Sequence, residues 1–156
     1  MELLLKPMDR KAAEEILSWQ YDPPYNFYNT ETTEEEMAER LNGTYFALQA
    51  SSGELAGFFC TGHSARVPAG ELLDVYEEVL ADMGFGMNPK FTGKGYGTAF
   101  TSYIINCIEE NNESVPIRLT VALFNKRAIH LYKKLGFVPD KKFRTADVEF
   151  MTMVKR

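Results

Sequence analysis

Short apolar or alternating runs indicate strands along this chain, because successive side chains of a strand point to opposite faces. Between residues 115 and 124, for example, Ile117, Leu119, Val121 and Leu123 share one face. The same pattern predicts strands at 2–8, 44–50, 55–62, 79–87, 115–124, 137–140 and 143–155. Gly84 and Gly86 interrupt the alternation of the strand at 79–87, which favours a bulge there.

Four other stretches carry apolar residues three or four positions apart, the spacing of a helix with one buried face. Asp9 and Thr33 stand where the first two helices would be capped, and Thr33 with Glu36 fits a capping box. Gly43 and Gly136 are stop signals. The predicted helices are 9–19, 32–43, 97–111 and 125–137.

The predicted elements follow the order βααβββαβαββ, with a loop at 63–74. This order indicates an α/β chain with a mixed sheet. No internal repeat, low-complexity tract or linker is visible, so a single domain over residues 1–156 is expected.

The composition is that of an ordinary globular protein: 45% of the 156 residues are hydrophobic and 25% are charged. The net charge of −5 argues against a generic nucleic-acid binder. Two cysteines are too few for a disulfide framework, and two histidines do not make a metal cluster, so no metal is expected. No run approaches the length of a membrane span, and a reduced cytoplasmic protein is favoured.

A glycine-rich turn lies between the strand at 79–87 and the helix that starts at 97. Gly93, Gly95 and Gly97 alternate there with Lys94 and Tyr96. The first N–H groups of a helix have no partner within it, and glycines let phosphate oxygens approach the backbone, so the turn predicts a site for a diphosphate. The chain lacks the P-loop pattern, and it lacks the third glycine of the dinucleotide fingerprint. A tight turn without a ligand is the alternative.

Two segments together resemble the paired motifs of the GCN5-related N-acetyltransferases. The first is the run from Thr92 to Gly97, which matches the family's Gly-x-Gly/Ala segment. The second carries Asn, Ala, Leu-Tyr and Gly-Phe at Asn125, Ala128, Leu131–Tyr132 and Gly136–Phe137. The order of elements resembles the family fold over essentially the whole chain. The resemblance implies a mostly antiparallel sheet flanked by helices, with a bulged and splayed central strand.

The resemblance implies acetyl-coenzyme A as the acetyl donor. Backbone N–H groups of the glycine turn would bind the pyrophosphate, while Phe85 and Met87 would pair with the pantetheine arm like an added strand. Asn125 would bond the pantetheine or a nearby backbone group, although a plain helix cap explains it equally well. The implied donor-binding residues are Phe85, Met87, Gly93, Lys94, Gly95, Tyr96, Gly97, Thr98 and Asn125.

The implied chemistry is direct attack of an amine on the thioester. Tyr132 matches the family tyrosine that faces the coenzyme sulfur, so it is expected to protonate the leaving thiolate. The alternative is that Tyr132 only packs in the core. A backbone N–H near Met87 would stabilise the developing oxyanion.

The base that takes the ammonium proton is less well defined. Asp82 is the first candidate and Glu78 the second, because some family members use a carboxylate upstream of the bulge. A water chain to backbone carbonyls is the remaining alternative. Thr92 departs from the family pattern, which has Gln or Arg there, and Lys94, or Lys126 with Arg127, could compensate for the missing phosphate contact.

Acceptor choice in this family depends on the first two helices and on the loops beside them. The segment 19–28 is rich in aromatic residues and contains Pro23 and Pro24, so it could line an acceptor pocket or cover the core. We expect a small-molecule or peptide amine as acceptor and a homodimer. A coenzyme A-binding regulatory module with little transferase activity is the second hypothesis, and a dinucleotide-dependent oxidoreductase is the third.

Overall fold

The computed structural model describes residues 1–111 and 114–156. The chain divides into two compact units. Unit 1 comprises Met1–Cys60 and Phe85–Phe100, and unit 2 comprises Thr61–Gly84 and Thr101–Arg156. The prediction of a single domain stays a prediction. No helix of the described residues is both long and apolar enough to cross a membrane.

Unit 1 contains two helices and the first strands of the sheet. Helix α1 spans Arg10–Ser18 and α2 spans Glu34–Arg40. Strands β1 (Leu3–Pro7), β2 (Tyr45–Ala50) and β3 (Leu55–Thr61) pair antiparallel in this order, and the end of β4 (Ala81–Met87) continues the sheet beside β3. Buried Ala13, Leu17 and Met37 join the two helices in a small apolar cluster.

Unit 2 contains the other strands. The start of β4 pairs parallel with β5 (Ile117–Ala122), and β5 pairs antiparallel with β7 (Glu149–Lys155). Strand β6 (Val138–Arg144) lies at the edge beside β7. The strands pair in the order β1-β2-β3-β4-β5-β7-β6. The sheet is mostly antiparallel, as expected.

Three helices complete the chain. Helix α3 spans Pro68–Leu72, α4 spans Gly97–Asn111, and α5 spans Lys126–Lys134. The apolar residues Phe100, Ile104 and Ile108 of α4 are buried, as the helical spacing of apolar residues in 97–111 predicts. A core cluster of unit 2 contains Val75, Tyr76, Ala122, Phe143 and Phe150.

The predicted order of elements is confirmed, with corrections at several boundaries. Helix α3 lies inside the predicted loop 63–74; Pro68 occupies its first turn, where a missing N–H costs nothing. Strand β4 starts at Ala81 rather than at residue 79. The last predicted strand was placed to start too early, because residue 143 belongs to β6 and a turn closed by Thr145 N–H to Val148 O (2.9 Å) precedes β7.

The predicted caps are present, with one difference. The Asp9 carboxylate accepts from Ala12 N at 2.8 Å, and the Thr33 hydroxyl accepts from Glu36 N at 3.1 Å. The Glu36 carboxylate, however, is engaged by Arg40 at 2.9 Å, one helical turn further on. Thr33 therefore caps α2 as expected, while Glu36 forms an intrahelical ion pair.

Candidate active site

The glycine turn begins from an anchored residue of unit 1. The Asn88 N–H donates to Ala56 O at 2.8 Å, and the Asn88 side-chain amide donates to Leu55 O at 2.9 Å. A single 3-10 turn follows at Pro89–Phe91, and Thr92 closes it with bonds from its N–H and its hydroxyl to Pro89 O. The backbone that enters the glycine run is thereby fixed to β3.

The glycine run itself leaves its N–H groups free. Across residues 1–111 and 114–156, no protein acceptor is recorded for the backbone N–H groups from Gly93 to Ala99. The next amide, Phe100 N, donates to Tyr96 O at 2.9 Å and starts the ladder of α4. A run of unpaired amides at the start of a 15-residue helix is a strong anion-binding device, because the helix dipole adds partial positive charge there.

Two glycines give the turn its shape. Gly93 has φ +71° and Gly95 has φ +84°, while Lys94 between them and Tyr96 after them do not have positive φ. This alternation curves successive N–H groups into an anion-binding concavity. A Cβ built on either glycine would meet no protein atom within 4 Å apart from the chain neighbours, so glycine is favoured here by the backbone angle and not by a lack of space. Phe91 and Tyr96 pack edge to face beside the turn, with ring centroids 6.1 Å apart.

The end of β4 in unit 1 carries Phe85 and Met87, both half-buried. The recorded pairing of β4 with β5 stops at Met83, as the predicted divergence after Gly84 requires. Phe85 packs against Phe100 at 5.8 Å between ring centroids. A Cβ at Gly86 would lie 2.5 Å from the ring of Phe58, so any larger residue there requires the Phe58 side chain to move. The roles assigned to Phe85 and Met87 stay predictions.

Tyr21 contacts this strand, which the sequence did not indicate. Its hydroxyl donates to Met87 O at 2.6 Å, and its backbone N–H donates to the Asn29 side chain at 2.7 Å. Burial raises the pKa of the Tyr21 hydroxyl to about 12. The sequence placed Tyr21 in a possible acceptor wall, but no spacing connects position 21 with position 87, so this bond could not have been found from the pattern.

Asp82 in unit 2 has contacts that argue against the predicted role of base. Its Oδ1 accepts from Arg118 Nε at 2.7 Å, and its Oδ2 accepts from Arg118 Nη2 and from Arg66 Nε, each at 2.9 Å. The Asp82 side chain is only 2% exposed. Both oxygens of this buried carboxylate already accept hydrogen bonds from guanidinium groups, so a substrate amine or a relaying water would have to displace an arginine to reach them.

Glu78, the second candidate base, is engaged as well. Its two carboxylate oxygens accept from Arg156, both at 3.1 Å. The hydrogen bonds from Arg156 lower the pKa of the Glu78 carboxyl, so it is a weaker base than a free glutamate. The role of base, for which Asp82, Glu78 and a water chain were the three alternatives, stays a prediction.

Asn125 and Tyr132 belong to unit 2, at the two ends of α5. The Asn125 side chain caps this helix by accepting from Ala128 N at 3.2 Å, so the predicted cap is present. Tyr132 is 9% exposed and packs edge to face on Phe137, with ring centroids 6.0 Å apart. Its role as proton donor stays a prediction.

Comparison with known proteins places this geometry in context. The model of the acetyltransferase (GNAT) family matches residues 11–137. No curated protein matches the chain significantly. Several solved structures share the fold, which confirms the predicted fold class. Because their sequences are only 16–19% identical to this chain, the likeness shows the fold alone.

Three of these structures are acetyltransferases with different descriptions. The acetyltransferase (GNAT family) from Bacillus anthracis is 16% identical, with a TM-score of 0.71 over 99% of this chain and 94% of that chain. The aminoglycoside acetyltransferase AAC(6')-Ib, in complex with coenzyme A and kanamycin, is 17% identical, with a TM-score of 0.73 over 99% and 94%. A spermidine N-acetyltransferase SpeG chimera, from Vibrio cholerae and hSSAT, is 19% identical, with a TM-score of 0.70 over 99% and 95%.

Proposed function

Because the chain belongs to the acetyltransferase (GNAT) family, as the match over residues 11–137 shows, we propose that it moves an acetyl group from acetyl-CoA to a primary amine. The protein is accordingly an acyltransferase. The observation that carries the choice of donor is the run of unpaired amides from Gly93 to Ala99 at the start of α4. A neighbour of the same fold was solved with coenzyme A, which supports this choice.

The amides of the glycine turn bind the pyrophosphate in this proposal. Gly93 and Gly95 hold the positive φ that points successive N–H groups at one anion, and Lys94 adds a positive charge to the same turn. The backbone of Phe85 and Met87 holds the pantetheine arm, and Asn125 adds a polar contact. The thioester carbonyl gains an N–H donor near Met87 as its oxygen becomes an oxyanion.

Transfer then proceeds in one displacement. The neutral amine nitrogen attacks the thioester carbon, the new C–N bond forms, and the C–S bond breaks to release the thiolate. Tyr132 gives its hydroxyl proton to that thiolate. The amine proton passes to the solvent through water molecules hydrogen-bonded to backbone carbonyls, because the carboxylates of Asp82 and Glu78 are held by arginines. The solvent then returns a proton to the Tyr132 phenolate, so the enzyme is ready for the next cycle.

The acceptor in this proposal is a small-molecule or peptide amine. Neighbours with the same fold act on spermidine or bind kanamycin, both of which carry several amino groups. In unit 1 the segment at 19–28 offers aromatic faces for a protonated amine: Phe27 and Tyr28 are exposed and pack edge to face at 5.1 Å. Homodimer formation and a cytoplasmic location stay predictions from the sequence.

A thiol-release assay tests the proposal. Acetyl-CoA is offered with a panel of polyamines, aminoglycosides, amino acids and N-terminal peptides, and free coenzyme A is measured. Steady release with at least one amine is expected. Tight binding of coenzyme A without turnover across the panel would support the regulatory module instead, and no binding at all would contradict both hypotheses.

A pair of glycine variants locates the donor site. Gly95→Ala forces an L residue into φ +84° and should raise the KM for acetyl-CoA about tenfold or more, because misdirected amides lose charge-assisted bonds. Gly53→Ala is the matched control: Gly53 has φ +89°, open space around its Cβ position and a place in the β2–β3 turn. Equal KM values in the two variants would contradict the proposed pyrophosphate site.

A further inference from the structure

A buried ion pair links the two parallel strands of unit 2 where their pairing ends. Asp82 on β4 and Arg118 on β5 are direct partners in the strand register, and Met83 opposite Leu119 is the last recorded pair. The Arg118 side chain is 1% exposed and the Asp82 side chain 2%. Burial of two charges has a large desolvation cost, and well-packed hydrophobic residues in the place of such a pair are often at least as stable. The pair therefore calls for a functional explanation.

The geometry of the pair fixes the strands in one register. Arg118 meets the carboxylate through two nitrogens, Nε to Oδ1 at 2.7 Å and Nη2 to Oδ2 at 2.9 Å. Its third nitrogen, Nη1, donates to Glu78 O at 3.0 Å, just before β4 begins. A bidentate contact restrains both distance and orientation, so slippage of β4 along β5 would break three bonds at once.

The same carboxylate also holds the segment that precedes β4. Arg66 Nε donates to Asp82 Oδ2 at 2.9 Å, and Arg66 is only 19% exposed. The ring of Tyr76 lies 5.3 Å from the Arg66 guanidinium carbon and 5.0 Å from that of Arg118. The Tyr76 hydroxyl accepts from Val67 N at 3.0 Å and bonds the Thr120 hydroxyl at 2.7 Å. Segment 66–76 is thereby tied to β4 and β5.

We propose that Asp82 and Arg118 are positioning residues for acetyl transfer: they fix the point at which β4 stops pairing with β5. Through the continuous backbone of β4 they set the orientation of the amides of Phe85 and Met87. This inference rests on the proposed function, because it concerns the same donor-binding strand. It also replaces the role of base for Asp82 with a geometric role.

Single and double variants of the ion pair distinguish a positioning role of Asp82 from the role of base. Asp82→Asn and Arg118→Gln each leave one buried partner without its counterpart, whereas the double variant Asp82→Asn/Arg118→Gln removes both charges. For positioning residues, each single variant should lower kcat about tenfold or more, since small displacements of a reacting group are costly. The double variant should recover part of that loss, and the shape of the pH–rate profile should stay that of the wild type.

A base would behave differently. Loss of a base would suppress kcat in Asp82→Asn and the double variant alike, and the loss would shrink at high pH, where the amine is already neutral. That result would overturn the positioning role. Arg144→Gln is the matched control, because Arg144 forms an exposed ion pair with Glu149 at 3.0 Å in the same unit. Its kcat should equal that of the wild type.

Amide hydrogen exchange gives a readout that does not need turnover. In Arg118→Lys, which keeps the charge but loses the bidentate geometry, the amides of residues 84–87 should exchange about tenfold faster or more, while those of β2 keep their protection. Uniform acceleration across both units, or none at residues 84–87, would overturn the proposal. Should the wild type show no acetyl-CoA turnover, the proposed function fails, and the exchange pattern still decides whether the pair positions β4.

Discussion

The Tyr21 hydroxyl connects two segments of unit 1 at the candidate site. It donates to Met87 O at 2.6 Å, which satisfies the carbonyl of the last β4 residue and joins the segment at 19–28 to that strand. With its pKa raised to about 12 by burial, the hydroxyl stays protonated and acts as a donor throughout the neutral range. Tyr21 is therefore a structural donor, and it is unsuited to be the missing base.

Replacement of Tyr21 by Phe should lower stability by about 1–2 kcal/mol, because the Met87 carbonyl loses a buried partner. The KM for the acceptor amine should rise more than the KM for acetyl-CoA, since the variant frees the segment at 19–28. Urea unfolding and two-substrate kinetics measure the two effects. Tyr103→Phe on α4 is the control, because it removes a half-buried tyrosine hydroxyl outside the segment at 19–28.

Tyr132 carries the chemical step of the proposal, and its test is equally direct. Tyr132→Phe removes one hydroxyl from a side chain that is packed on Phe137, so the fold should be retained. We expect kcat to fall about 100-fold with little change in the KM for acetyl-CoA, in line with the loss of a general acid. Tyr103→Phe on α4 controls for the loss of a half-buried tyrosine hydroxyl. An unchanged kcat in Tyr132→Phe would exclude its role as proton donor.

At the scale of elements, β3 and β4 approach each other closely in unit 1. A Cβ on Gly57 would lie 2.4 Å from Gly86 O and 2.4 Å from the Phe100 ring. The carbonyl belongs to the backbone of the strand and cannot move aside as a flexible side chain can. Glycine is therefore required at position 57 for packing, in contrast to Gly93 and Gly95, which are required for their backbone angles.

Gly57→Ala should accordingly destabilise the protein by roughly 3 kcal/mol, toward the upper end of overpacking effects. Gly86→Ala should cost less when it is combined with Phe58→Leu, because its clash is with the ring of Phe58 rather than with backbone. Urea denaturation of the three variants measures the difference. A Gly57→Ala variant as stable as the wild type would contradict the close approach.

The sequence was informative wherever a local rule decides the structure. The caps at Asp9, Thr33 and Asn125 follow from side-chain type and spacing, and so does the helix that starts at Gly97. The contacts of Asp82 and Tyr21 join positions far apart in the chain, 36 residues from Asp82 to Arg118 and 66 from Tyr21 to Met87. Such contacts arise only from tertiary packing, and the pattern of apolar residues along the chain does not predict them. The candidate base was therefore the least predictable part of the site.

At the scale of the whole molecule, the tyrosines and two ion pairs predict how stability depends on pH. Burial raises the pKa of Tyr21 to about 12 and raises the pKa of Tyr45 and Tyr76 above 10.0. A raised pKa means that the unfolded chain loses these protons first. The contribution of these tyrosines to the free energy of unfolding is thus complete below pH 10.0. It is lost as the pH rises toward the pKa values of the tyrosines in the folded protein. Unfolding should become easier above pH 10.

Below pH 4.5 the stability of the fold depends on pH in the opposite direction, and it falls as the pH falls. Hydrogen bonds from Lys90 and Arg156 lower the pKa of Glu54 and Glu78 below 4.5, so the stabilisation is complete above pH 4.5 and is lost as the pH falls through the folded-state values. Both carboxylates are on the surface, so this slope should be shallow and should weaken in salt, whereas the alkaline slope should persist. Urea unfolding from pH 3 to pH 11 at low and high salt measures both slopes. A steep change between pH 6 and pH 9 would contradict this account, because these carboxylates and tyrosines titrate outside that window.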